Sequence, residues 1–401
     1  MATAAKILAN KPAHVPTDRV VEFDYIDDAG IIADPHARMR EIAQTTPGLF
    51  WTPHYGGHWV ARSRAVLAEV TTSPDRFSSK SRGIPAMDHD VDLIPLTMDP
   101  PEHSHYRIPI NPLVSPKGVA PLEPSIREMA NDLIDAVIAK GRCDFLHEVA
   151  EPLPVILFMR LAGMPTDRLA EFRQLAEQAT AAPEASARSE AFVRIGQILA
   201  PIVQSRMVEP QDDLISKLYA AGVNGRKMTF EELLNYSVLL FLGGLETVVN
   251  ALAFSTRYLA MHPDIQQELR EDPTKIATAI DELLRLHGIA FTVRRTTADT
   301  ELDGVLLKAD DMILIMAPAA NYDETFYPEA ASFCPARKQP HVTFNMGAHR
   351  CMGANLARLE MRVFFEQWLA RVPPFRLDPE SPPVFFGGLN LAIRSLGITW
   401  A

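Results

Sequence analysis

Phe344–Glu360 reads FNMGAHRCMGANLARLE and holds one of only three cysteines in 401 residues. Gly347 and Gly353 flank Cys351, and His349 and Arg350 directly precede it. Behind it runs ANLARLEMRVFFEQWLARV, with apolar residues every three or four positions, so the cysteine stands on a glycine-lined loop at the mouth of an amphipathic helix. A helix N-terminus offers backbone N–H groups and the positive end of the dipole, which lower a thiol pKa. Three roles fit a cysteine so placed. It is a buried structural thiol, a nucleophile, or a thiolate ligand to a haem iron, which needs only this loop and N–H donors to its sulfur. No Cys–His–Asn/Asp signature accompanies it for the second role.

The rest of the composition narrows the field. With 47% hydrophobic residues the chain can bury a large core, and its length alone suggests two or three domains. A net charge of −11 makes nucleic acid an unsuitable partner. Cysteines at 143, 334 and 351 form no CxxC pair, which excludes a disulfide framework and cysteine-rich metal sites and suits a reducing cytoplasm. The opening MATAAKILANKPAHVPTDRV lacks a secretory apolar run, and no uninterrupted apolar window of about 18 residues predicts a membrane span.

Local patterns then place the elements. LFWTPHYGGHWVA predicts a short sheet with a Gly-Gly turn, and residues from about 120 to 290 are predominantly helical. Strand-like alternation returns at 292–320, a proline-rich irregular stretch spans Tyr327–Pro340, and Pro382–Trp400 predicts a last β segment. One long helix is expected from Thr229 and Glu232, at capping-box spacing, to Pro263. Its centre, SVLLFLGGLETVVNALAF, is apolar all round and should be buried, yet it contains Gly243, Gly244, Glu246 and Thr247. A carboxylate there is costly unless paired or functional, and the glycines must allow a close approach.

Phe344-x-x-Gly347-x-His349-Arg350-Cys351-x-Gly353, followed by Leu356-Ala357-Arg358-x-Glu360, resembles the haem-thiolate loop of the cytochrome P-450 superfamily. Asn345 departs from the family's usual glycine. Three further motifs fall in the family's order: Met98-Asp99-Pro100-Pro101-Glu102-His103 through Arg107, Gly243-Gly244-Leu245-Glu246-Thr247, and Glu282-x-x-Arg285 followed by Phe333-x-Pro335-x-Arg337. LIPLTMDPPEH, FLGGLETVVNALAFS, VNGRKMTFEE and GGHWVA are similar to the bacterial camphor-hydroxylase group.

The resemblance covers essentially the whole chain and implies a mainly α fold, the triangular prism, with a smaller β-rich lobe. Residues 1–401 then count as one domain, with the β-rich lobe at about 45–75, 292–320 and 382–400 and the helical lobe elsewhere. It implies haem b with Cys351 as the axial iron ligand, and Gly243, Phe344 and Gly353 beside the haem. His103, Arg107, Arg294 and His349 match propionate partners, while Glu282, Arg285 and Arg337 match a structural triad. Glu246 and Thr247 match the acid–alcohol pair that manages protons, with Glu where the camphor enzymes have Asp. The matching substrate pocket comprises Gly83, Val91, Leu93, Leu96, Leu239, Leu242, Ala290 and Asn390. Val91 stands where the camphor enzymes have a ketone-binding tyrosine.

The implied activity is that of a bacterial class I monooxygenase. It would hydroxylate a small terpenoid or norisoprenoid, such as an ionone, with O2 and electrons from a [2Fe–2S] ferredoxin and its NAD(P)H-dependent reductase. A cytoplasmic monomer is expected, without nucleic-acid or membrane partners. A peroxygenase or isomerase, and a non-catalytic haem-based sensor, are the competing readings. The first class typically lacks the acid–alcohol pair that Glu246 and Thr247 supply, and a sensor would carry an output module.

Overall fold

The computed structural model describes residues 8–81, 83–86, 92–182 and 184–400. Helices dominate and a twisted sheet lies to one side. The strands β1 (Leu49–Thr52), β2 (His58–Ala61), β3 (Phe77–Ser78), β4 (Phe291–Thr296) and β5 (Met312–Met316) form one sheet in the order β1-β2-β5-β4-β3. β1 and β2 are buried along their whole length, as their aromatic and β-branched residues require. β2 pairs parallel to β5, with Trp59 opposite Ile313, and the other neighbours pair antiparallel. The β3–β4 register sets Ser78 opposite Arg295 and so carries Ser79 and Arg294 to one end of the sheet.

The strands of the C-terminal segment, expected in the β-rich lobe, form two separate small sheets. Gly397–Trp400 pairs with Arg142–Asp144 and Phe375–Leu377, and Val384–Phe386 pairs with Ala392–Ser395. Strand periodicity reveals which segments are extended but not which edge each one finds.

The helices that position the site are α1 (Glu102–Val114), α2 (Glu123–Ile138), α3 (Pro152–Ala162), α4 (Leu169–Ala181), α5 (Ala185–Val208), α6 (Phe230–Leu245), α7 (Thr247–Met261), α8 (Ile276–Leu286) and α9 (Ala354–Arg371). α6 opens with the expected capping box, Thr229 Oγ1 accepting from Glu232 N and the Glu232 carboxylate accepting from Thr229 N. The single long helix expected here is broken at Glu246, whose φ/ψ of −124°/−33° leaves the helical region. Phe230–Met261 is apolar and long enough to cross a membrane by length and composition, but 61% of its most apolar window is buried inside the protein. The stretch is the spine of the core, against which α3, α4 and α5 pack.

Candidate active site

The cysteine loop is built from backbone outward. Cys351 N donates to Phe344 O at 2.8 Å, and Arg350 N donates to Gly347 O at 3.2 Å. Gly347 has φ +67°, and a Cβ there would lie 2.3 Å from Thr71 O, so this position admits no side chain. Asn345 also takes a left-handed φ of 57°. Its Oδ1 accepts from Met346 N at 2.8 Å and its Nδ2 donates to Thr292 Oγ1 at 3.3 Å. Asparagine is the residue after glycine that best tolerates this conformation, so the departure from the family pattern leaves the turn intact.

The loop hangs from a buried ion-pair hub. All five N–H groups of Arg285 find acceptors: both Glu282 oxygens at 2.8 Å, Asn321 O, Ala330 O and Ser332 O. Glu282 Oε1 also accepts from Cys334 N at 3.0 Å and Arg337 Nε at 3.1 Å. Burial works to raise the Glu282 carboxyl, but these donors and the Arg285 charge hold it below the ordinary carboxylate range.

Cys351 is exposed although protein surrounds it, so its surface opens onto an interior space. Burial pushes its thiol up; the Gly353 N–H and the charges of Arg107, Arg350 and Arg358 pull the other way and only partly offset this. The direction corrects the sequence expectation, because desolvation among protein atoms outweighs the helix terminus here. A bound cation deprotonates such a thiol outright.

Four nitrogen-bearing side chains gather beside the loop. The rings of His103 and His349 lie 4.2 Å apart, and Arg107 Nη2 donates to Arg350 O. Both ring nitrogens of buried His103, and Nη2 of buried Arg294, lack a hydrogen-bond partner. Burial first, then the neighbouring Arg107 and Arg294 charges, push His103 down to about 4. His349 falls to about 3 through burial and the charges of Arg294, His103 and Arg107, and burial lowers Arg294 to about 10. Buried donors are rarely left unmatched, and this concentration of positive potential suits a pair of carboxylates. The residues therefore fit haem: this cradle would hold its propionates and Cys351 would supply a ligand to its iron.

Residues 239 and 243 of α6, and 247 at the start of α7, recur every four positions. Within it Gly243 and Gly244 have opposite surroundings. A Cβ on Gly243 would meet nothing within 4 Å, whereas one on Gly244 would lie 2.4 Å from Phe158 Cδ2. Gly244 lets the α3 aromatic ring touch the helix, while Gly243 fronts open space. Tyr236 on the same helix reaches the loop, its hydroxyl 3.7 Å from Met352 Sδ.

At the helix break Thr247 Oγ1 donates to Gly243 O at 2.9 Å. A carbonyl cannot donate, so the hydroxyl proton is spent there and the oxygen offers its lone pairs instead. Glu246 Oε2 accepts from Thr180 Oγ1 at 3.0 Å and Asn390 Nδ2 at 3.3 Å. Burial raises the Glu246 carboxyl, more than these two hydrogen bonds lower it.

Of the expected pocket residues, Leu239, Leu242, Leu93, Gly83 and Ala290 are half-buried, and Leu96 is 38% exposed. Val91 lies outside the described residues. Asn390, expected as a donor to substrate, bridges to Ala290 in the backbone and directs its amide to Glu246. Sequence reasoning missed Thr180 and also Ser79, whose Oγ lies 2.9 Å from His349 Nε2 and whose N–H donates to Asp99 Oδ1. No local spacing signals either contact; they join residues 66 and 270 positions apart.

Comparison with known proteins gives a consistent picture. The sequence profile of the family described as Cytochrome P450 matches residues 189–388. The chain is similar to the probable cytochrome P450 127A1 of Sinorhizobium fredii, 31% identical with 97% of each chain covered. It is similar to the steroid C26-monooxygenase of Mycolicibacterium smegmatis, 33% identical over 80% of this chain and 84% of that one. Among solved structures, CYP101J2 superposes with a TM-score of 0.90 at 35% identity, covering 98% of this chain and 100% of that one. CYP101C1 gives 0.89 at 32% identity with the same coverage.

Proposed function

Because the chain belongs to the bacterial cytochrome P450 family of haem-thiolate monooxygenases, we propose that it hydroxylates a small, hydrophobic terpenoid or norisoprenoid of the ionone type. Haem bound through a cysteine thiolate supplies the oxidising chemistry, since sulfur donates electron density that favours cleavage of O2. The conjunction that carries the site assignment is Cys351 opening onto an interior space beside buried nitrogen donors with no acceptor. In this reading Cys351 ligates the iron, His103, Arg107, Arg294 and His349 hold the propionates, and Gly243 leaves room for the ring. Thr247, whose hydroxyl proton goes to Gly243 O, would offer a hydrogen-bond acceptor there, and Glu246 would relay protons. The residues expected to line the pocket are mostly aliphatic, with Leu93, Leu239, Leu242 and Ala290, and Gly83 would add volume without polarity.

An apolar pocket of this kind rewards a ring-and-chain carbon skeleton that fills it, and holds less tightly a compact cage that depends on one hydrogen bond to its carbonyl. Electrons come from a [2Fe–2S] ferredoxin served by an NAD(P)H-dependent reductase in the cytoplasm, in keeping with a chain that has no GxGxxG dinucleotide fingerprint. Titrating β-ionone and camphor against the ferric enzyme, and following the haem spin state, tests the substrate class. Ionone should bind more tightly and give the larger high-spin fraction, with hydroxylated product formed once ferredoxin and reductase are added. Tighter camphor binding refutes the reading of the pocket.

A further inference from the structure

Glu246 is gripped from two distant parts of the chain by neutral groups only. Thr180, at the end of α4, and Asn390, in the loop after Val384–Phe386, both bond Oε2, at 3.0 and 3.3 Å. Among the described residues no lysine, arginine or histidine forms an ion pair with this carboxyl, and Oε1 makes no hydrogen bond. The charges that act on it, Arg173 and Glu177 of α4, are engaged elsewhere. Arg173 pairs with Glu151 at 2.9 Å, and Glu177 pairs with Arg394.

The Thr180 hydroxyl has one proton and two equidistant claimants, Ala176 O and Glu246 Oε2, each at 3.0 Å, with Glu177 O further off at 3.4 Å. When Glu246 is ionised, the hydroxyl turns to Oε2. When Glu246 is protonated, its carboxyl O–H donates to Thr180 Oγ1, whose own proton then goes to Ala176 O. Either protonation state leaves the cluster hydrogen-bonded, so a swing of one hydroxyl accompanies the change. An ion pair in the same place would resist protonation of the carboxylate.

We propose that Thr180 and Asn390 are positioning residues for the proton relay, holding the Glu246 carboxyl with neutral, reorientable donors so that it gives and regains a proton without breaking an ion pair. The proposal rests on the monooxygenase reading, in which Glu246 passes its proton toward the Thr247 side of the space and recovers one from water through the unbonded Oε1. The proton count closes over each cycle, and neither Thr180 nor Asn390 is consumed or ionised.

The test follows the carboxyl itself in the resting ferric holoenzyme. An infrared pH titration isolates the Glu246 carboxylic-acid stretch as the band missing from Glu246→Gln. Thr180→Val and Asn390→Leu each remove a donor to the carboxylate and should move the midpoint up by about one pH unit. The pH profile of product formed per NADH should move in the same direction, and Thr180→Ser should restore both. If both variants, loaded with haem as the wild type is, keep the wild-type midpoint while Glu246→Gln uncouples the enzyme, the positioning role is overturned and the relay stands. If Glu246→Gln leaves coupling unchanged, the relay reading falls and takes this proposal with it.

Discussion

Adjacent glycines in one helix, Gly243 and Gly244, should respond in opposite ways to the same substitution. Replacing glycine by alanine inside a helix gains about 1 kcal/mol of propensity. At Gly243 nothing lies within 4 Å of the new methyl, so that gain should survive in the polypeptide. At Gly244 the methyl would lie 2.4, 2.5 and 2.7 Å from three atoms of the Phe158 ring, all inside contact distance. Phe158 is buried in the main core, so the ring has little room to withdraw, and overpacking of this kind costs about 1–3 kcal/mol. Net, Gly244→Ala should range from neutral to about 2 kcal/mol destabilising, and the two variants should differ by about 1–3 kcal/mol. For a chain of this length the unfolding entropy converts that gap to about 1–4 °C in melting temperature. Thermal unfolding at matched haem content, or urea midpoints of the haem-free protein, would measure it. Phe158→Leu in the Gly244→Ala background should recover part of the loss. Equal stabilities, or a more stable Gly244→Ala, would refute the assignment of one glycine to packing and the other to open space.

Cys351→His should abolish the long-wavelength ferrous–CO band of a thiolate-ligated haem, and a variant that keeps it would remove Cys351 as the ligand. Glu282→Gln should cost about 3–5 kcal/mol, because it leaves Arg285 as an uncompensated buried cation, and should lower haem retention. The pH dependence has a definite sign: the folded Glu282 carboxyl lies below its ordinary value of 4.5, so its contribution is present above that value and lost as pH falls through the folded one. Urea midpoints between pH 7 and 3 should therefore fall less steeply for Glu282→Gln than for the wild type, and parallel slopes would count against it. Lys117, Lys338 and Arg350 are exposed and are expected to form a basic docking face beneath Cys351, so reversing their charges should slow reduction by an acidic ferredoxin most at low ionic strength. Rates that ignore salt in both proteins would exclude that face.

What could be read in the sequence was whatever is encoded within a few residues. The cysteine loop, the Glu282–Arg285 pair and the Thr229–Glu232 cap are local patterns whose chemistry follows from spacing, and the structure contains each as a bonded unit. Gly243-Gly244 was legible as a close approach, but not which glycine met a ring and which met space, since Phe158 is 86 positions away from Gly244. The break at Glu246 is not legible because the apolar run resumes beyond it, and the glycines before it mark a close approach as readily as a break. The roles of Thr180, Asn390 and Ser79 depend on partners brought together only by the packing of α4, the C-terminal loop and β3. The same holds for the C-terminal strands, whose alternation gave their conformation and not their neighbours. Desolvation of the Cys351 thiol likewise depends on everything folded around it.

The five-fold bonding of Arg285 restricts which sequences this molecule can exchange with its relatives. A lysine carries three N–H donors on one atom, so it could not reach a bidentate carboxylate and carbonyls at 321, 330 and 332 together. Those three carbonyls belong to the segment that leads into the cysteine loop, and the Glu282 side chain binds the same segment through Cys334 N. Residues 282–285 and 321–351 therefore behave as a single heritable cassette, although about 35 residues of sheet separate them along the chain. Chimeras with crossovers placed outside both segments, in the 297–311 hairpin for instance, would divide the pair between parents. Only parents that preserve the hub and the path of its carbonyls should then yield folded, haem-binding progeny.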